Sequence, residues 1–220
     1  MKAPRLLDRL LVTPEWSSIP GKVCFFWCLL DLALFGALAL SGDRGADGVI
    51  VEIASWVPIS LFVARLLPRS LGVGSYLSVV VALSLSEETI AYSTGGGLHG
   101  AATSLPEDWV RSVPTFAGLA LGLLLAVRSV GLRSPETFTT AAAAGIFLEI
   151  GLGSGFNPVA LFALSGAVAW VYGTIVALPC DRPAPRKPDL VRVAVTIALV
   201  VVGTLGGGFL GLALQALFHL

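Results

Sequence analysis

Seven runs of about twenty predominantly apolar residues divide this chain, at 23–41, 49–67, 71–92, 113–130, 135–153, 158–178 and 190–218. A helix rising 1.5 Å per residue needs roughly 20 residues to cross a hydrocarbon core of about 30 Å, so each run suffices for one crossing. Within lipid a crossing segment must satisfy its own backbone, which leaves helices as the solution for runs of this length. The expectation is an all-α fold, a polytopic integral membrane bundle of about seven transmembrane helices. Composition enters as a check: 55% of the residues are apolar and 13% charged, with mean hydropathy +0.87, which excludes a soluble globule.

The basic residues orient the bundle. With the N-terminus inside, Lys2, Arg5, Arg9, Lys22, Arg65, Arg69, Arg128, Arg133, Arg182, Arg186, Lys187 and Arg192 fall on the inner side, and only Arg44 and Arg111 fall outside. Such an asymmetry follows the positive-inside rule and predicts N-in, C-out topology. Formal net charge is zero, so no overall field draws nucleic acid to the chain. Residues 1–220 read as a single transmembrane domain with the lipid bilayer as its first partner, placed in the cytoplasmic membrane of a bacterium or archaeon. Within it, 1–21 is an interfacial segment, 22–220 a seven-helix bundle, 93–112 an outer loop and 179–189 an inner loop.

In the first segment Leu6, Leu7, Leu10 and Leu11 alternate with Arg5, Asp8 and Arg9 at helical spacing. That pattern predicts a short helix on the inner membrane surface, stopped by Pro14, with Trp16 among the headgroups. The apolar run at 23–40 is too long and starts too late for a cleaved signal. Ser134-Pro135, Asn157-Pro158 and Asp189-Leu190 each place a capping side chain ahead of a first turn. Ser104 and Glu107 form a capping box, expected to open a short helix resting on the outer surface after the glycines at 95–97. The inner loop, rich in proline and basic residues, is expected to be extended and solvated. Cys24, Cys28 and Cys180 form no disulfide framework and read as packing residues.

Ionisable groups inside the spans are the functional signal, because each costs roughly 2.5–3.5 kcal/mol at the bilayer centre. They are Asp31, in the middle of the first run, and Glu52, Glu87, Glu88 and Glu149, all toward the outer ends of theirs. Glu52 is expected close to water and the least consequential. Ser84, Glu88 and Tyr92 share one stripe at four-residue spacing, which favours Glu88 over Glu87 as the inward-facing member. Glu149 follows four consecutive alanines, so its helix is expected to be central in the bundle. Asn157 closes the glycine-rich turn beyond it. His99, in the outer glycine-rich turn, is the one candidate metal ligand to join these carboxylates, with a divalent cation as the candidate cofactor. Gly203, Gly207 and Gly211 offer a close-packing face within the bundle or toward a helix partner or a second copy in a homo-oligomer.

Two short segments are similar to known intramembrane proteases. The segment from Ala163 through Ser165 and Gly166 is similar to the serine segment of rhomboid proteases, but no histidine lies in a span to pair with Ser165. Glu87-Glu88 with Tyr92, followed by a helix bearing Phe147 and Glu149, resembles the glutamate-dependent proteases of the CAAX-processing type, without their histidines in later helices. What the residues themselves favour is a transporter or channel-like protein binding a proton, a metal cation or a cationic solute from outside. The alternatives are a glutamate-dependent intramembrane hydrolase, with His99 as its candidate metal ligand, and a structural or lipid-binding subunit of a membrane complex.

Overall fold

The computed structural model describes residues 7, 10–42, 44–95, 102–153, 155–184, 187 and 189–218, with the side chains at 44 and 45 excepted. Among them are seven helices: α1 (Ile19–Leu40), α2 (Arg44–Leu66), α3 (Val73–Thr94), α4 (Leu105–Val130), α5 (Ser134–Ile146), α6 (Pro158–Val176) and α7 (Leu190–Phe218). Six are long and apolar enough to cross a membrane. The exception, α5, is lengthened by a π-helical segment, Phe147–Leu152. No strand occurs among the described residues. Leu71 and Cys180 make one isolated bridge, with the Leu71 N–H donating to Pro179 at 3.0 Å and the Asp181 N–H to Leu71 at 3.1 Å.

Local chemistry sets most boundaries. The Ser18 hydroxyl accepts the Gly21 N–H at 3.3 Å at the start of α1, and Asn157 accepts the Val159 N–H at 2.8 Å ahead of α6. Asp189 does the same for Arg192 at 2.8 Å ahead of α7. Helix α5 begins one residue earlier than its sequence suggests. Arg133 is its cap, and the Glu136 carboxylate takes the Arg133 N–H at 2.7 Å, so Ser134 is already helical. The capping box at Ser104 forms, with the Glu107 N–H donating to the Ser104 hydroxyl at 3.4 Å and the Glu107 carboxylate accepting from Thr103 at 2.8 Å. It does not open a separate surface helix. The helix it starts runs on past Pro114 as α4, because its first turns are held against α3 by the Trp109 indole on Thr89 at 3.2 Å.

The column around which the rest assembles is α6, not the alanine-rich α5. Ala163 and every residue from Ser165 to Val176 is buried. Small residues let its neighbours in. A side chain on Gly166 would collide with the Trp27–Cys28 backbone of α1, and one on Gly173 with the Phe138 ring of α5. Helices α4 and α7 pack most closely of all. A Cβ on Gly203 would lie 2.3 Å from the Gly118 carbonyl oxygen, and one on Gly207 would lie 2.1 Å from that of Pro114. The glycine stripe of α7 therefore serves a contact inside the chain.

One end of the bundle carries the basic residues and is tied together there. Arg182 pairs with the buried Glu15, and Arg192 donates to the Val130 and Gly131 carbonyls at 2.7 and 2.8 Å, closing the end of α4. Trp16 is not a headgroup anchor. It is fully buried, 5.8 Å from Trp170, and its indole N–H donates to the Ala177 carbonyl at 3.2 Å. Residues 14–17 form turns that fold back beneath α6, which gives the indole protein partners in place of lipid. Most of the expected surface helix at 1–13 lies outside the described residues. The inner loop is likewise not solvated at its start, since residues 177–180 are buried. Burial also pushes the Cys180 thiol up, as befits a packing residue.

Candidate acidic site

The stripe Val49, Ile53, Trp56 and Ser60 is the buried face of α2, and Glu52 shares it. That placement overturns the expectation that Glu52 sits near water. It lies eight residues into α2, about 12 Å along the axis. It is 1% exposed, and neither carboxylate oxygen has a hydrogen-bond partner among the described residues. On α3 the preference for Glu88 over Glu87 is also corrected, because both are buried and both line the same cavity. Two adjacent residues point about 100° apart on a helix. Both can be enclosed because α2, α4 and α6 all pack against α3.

Glu149 reaches the same cavity from the π-helical segment. π-Helical turns inside α-helices are frequently found at functional sites. This one ends in a turn in which Phe156 takes a left-handed backbone (φ 56°) and its N–H donates to Ile150 at 3.0 Å. The Tyr172 hydroxyl on α6 donates to Glu149 at 2.6 Å. Its ring lies 4.6 Å from Phe116 and over Gly145, where a Cβ would meet it at 2.3 Å. Glycine at 145 is thus what admits the phenol to the site.

The cavity holds about 20 Å³, enough for about one water molecule, between Glu87, Glu88, Glu149, Tyr172 and Phe116. Glu52 is within electrostatic reach of Glu88 and Glu149. Sequence reasoning missed two members. Asp108, one turn into α4 and fully buried, lies against Glu88. Its position in the first turn makes it look like a helix-dipole partner, and only the close approach of α4 to α3 turns it inward. Tyr172 is hidden in an apolar run, with no local signal that its hydroxyl would find a carboxylate.

The other candidates are elsewhere. Asp31, 1% exposed, accepts the Ala167 N–H at 2.8 Å and so is anchored to α6. Tyr92 donates to the Thr103 carbonyl at 3.2 Å near the far end, and Asn157 is spent as a cap. Ser165 bonds back to Leu161 within its own helix. His99 lies outside the described residues. Among those described, no three Asp, Glu, Cys or His side chains meet in a way that would hold a metal ion.

Five carboxyl groups from four helices therefore crowd one small buried region, with the exposed Arg111 at its edge acting on Glu149. Like charges this close in a poorly hydrated site cannot all be ionised without a compensating proton or cation. No family model, no curated protein and no solved structure matches this chain.

Proposed function

We propose that this chain is a small transporter or channel-like protein of the cytoplasmic membrane, whose buried carboxyl cluster takes up a proton or another small cation from the outer side. It would cross the membrane seven times, N-in and C-out, with α5 and its π-helical extension making the fifth crossing beside the six long apolar helices. The basic asymmetry supports that orientation, and every basic side chain tying helix ends together belongs to the side it marks as inner.

The observation that carries the reading is the convergence of Glu52, Glu87, Glu88, Asp108 and Glu149 on one buried region. A bundle gains nothing in stability from such a cluster, since apolar side chains of the same volume would pack without a desolvation penalty. Groups of this kind inside a membrane protein mark ion and proton paths.

The test is thermal stability of the purified protein across pH and across a panel of monovalent and divalent cations. A folded site that retains protons which the unfolded chain gives up loses stability as pH rises, because unfolding then releases protons. Wild type should become less stable at higher pH unless a bound cation substitutes. Glu88→Gln and Glu149→Gln should flatten that dependence while preserving the fold. A wild type insensitive to both pH and cations would leave the structural-subunit reading in its place.

A further inference from the structure

We propose that the first turns of α4, residues 105–113, form a proton-controlled lid over the acidic site, fastened to α3 by one proton shared between Glu88 and Asp108 and hinged at Pro114. The inference rests on the transport reading and specifies how the same site is closed toward the outer side.

The shared proton follows from the contact. Asp108 and Glu88 are both buried, and their side chains are within hydrogen-bond reach of each other. Ionised carboxyls only accept hydrogen bonds, so two of them are joined only when one carries a proton. The surroundings are themselves mostly acidic. Glu87 on α3, Glu52 on α2, Glu149 on the π-helical extension of α5 and the Tyr172 phenol on α6 all act on the same region. Arg111, three residues beyond Asp108 on α4, is exposed and acts on Glu149. The part of α7 that meets α4 brings no titratable side chain between Gly203 and Phe218. When the shared proton leaves, like charges remain in contact where water scarcely reaches.

The first turns of α4 are built to separate from α3. Among 105–113 the one buried residue is Asp108, whereas past the hinge Phe116, Leu119, Ala120, Leu123 and Leu124 are all buried. The seat of these turns is therefore a carboxyl and not an apolar face, which makes it sensitive to charge. Two polar ties supplement it, the Trp109 indole on Thr89 and the Tyr92 hydroxyl on the Thr103 carbonyl, each at 3.2 Å. Pro114 has no N–H to give the Val110 carbonyl, so the helix bends most easily there. The end of α7 lies against the Arg111 carbonyl through Gly211 and travels with these turns.

The cavity beneath has room for about one water and is lined by Glu88 and by Phe116 just past the hinge, so raising the turns opens it outward. The sign follows. The lid is closed while the pair holds its proton, opens as rising pH removes it, and is drawn back when a proton or another small cation enters between the two carboxylates.

The test is amide hydrogen exchange of the full-length protein in detergent, read by mass spectrometry from acid to alkaline pH and corrected for the intrinsic pH dependence of exchange. In wild type the amides of 109–113 should exchange faster as pH rises, by roughly tenfold or more, while those of α6 keep their protection. Asp108→Asn and Glu88→Gln each leave one ionisable partner and a hydrogen bond, so the turns should stay protected throughout. Trp109→Phe, which removes the tie to Thr89 but leaves both carboxyls, should speed exchange of these turns and keep its rise with pH. Protection of 109–113 that is unchanged with pH in wild type overturns the lid. So does a pH-dependent loss that persists in both Asp108→Asn and Glu88→Gln, or a parallel loss in α6, which is general unfolding. In each of these cases the pH and cation dependence of stability decides the transport reading separately.

Discussion

At the scale of single residues, two buried carboxyls differ in what holds them. Asp31 has a backbone N–H from α6 as its partner, whereas Glu52 has none among the described residues. Removing Asp31 would undo a tie between helices, but removing Glu52 should relieve a penalty. Glu52→Met, which keeps the length of the side chain and discards its polar atoms, should stabilise the protein by about 1–3 kcal/mol near neutral pH, measured by thermal or denaturant unfolding in detergent. A loss of stability of that size would mean that Glu52 has a partner holding the fold together. The site was partly legible here. Glu52, Glu87, Glu88 and Glu149 stand out in sequence because charge is rare in apolar runs. The depth of Glu52 was misread, although Trp56 and Ser60 at four-residue spacing from it mark the same buried face. Asp108 and Tyr172 were not, because a first-turn aspartate and a tyrosine in an apolar run are ordinary until another helix is brought against them.

At the scale of elements, apolar run length and capping chemistry located the helices, and glycine spacing located their closest contact. The stripe Gly203, Gly207 and Gly211 on α7 lies against α4 from Gly122 and Gly118 through Pro114 to Arg111, with backbone against backbone. Gly207→Leu would drive a side chain into the Pro114 carbonyl, and should separate the two helices, lowering the midpoint of thermal unfolding or yielding aggregated protein. Gly206→Leu, where an added Cβ meets nothing within 4 Å, should be tolerated and serves as the control. Equal behaviour of the two variants would contradict the α4–α7 packing. Which helix would be central could not be read from composition. Four alanines favour α5, but α6 offers small residues on several faces, at Gly166 and Gly173, and only the assembled bundle shows that neighbours use them. The π-helical segment around Glu149 was equally silent, since it depends on the Phe156 turn and on the Tyr172 hydroxyl that meets the carboxylate.

For the whole molecule, the bundle has a tied end and an acidic interior. Arg182 with Glu15, Arg192 on the end of α4 and Trp16 beneath α6 close the basic side, while the carboxyl cluster lies between there and the far end. The all-helical membrane character follows from seven apolar runs. The closure of the basic side was hidden, because it joins residues from 61 to 167 positions apart. The account as a whole stands on the claim that these carboxyls share their region by retaining protons. The most direct measurement is the infrared carbonyl stretch of protonated carboxylic acids in the purified protein, recorded as pH is raised. The account predicts such a band at neutral pH in wild type, diminished in Glu52→Gln and Glu88→Gln and lost from wild type on further titration. A wild-type spectrum with no protonated carboxyl at neutral pH, in a buffer free of metal cations, would contradict it.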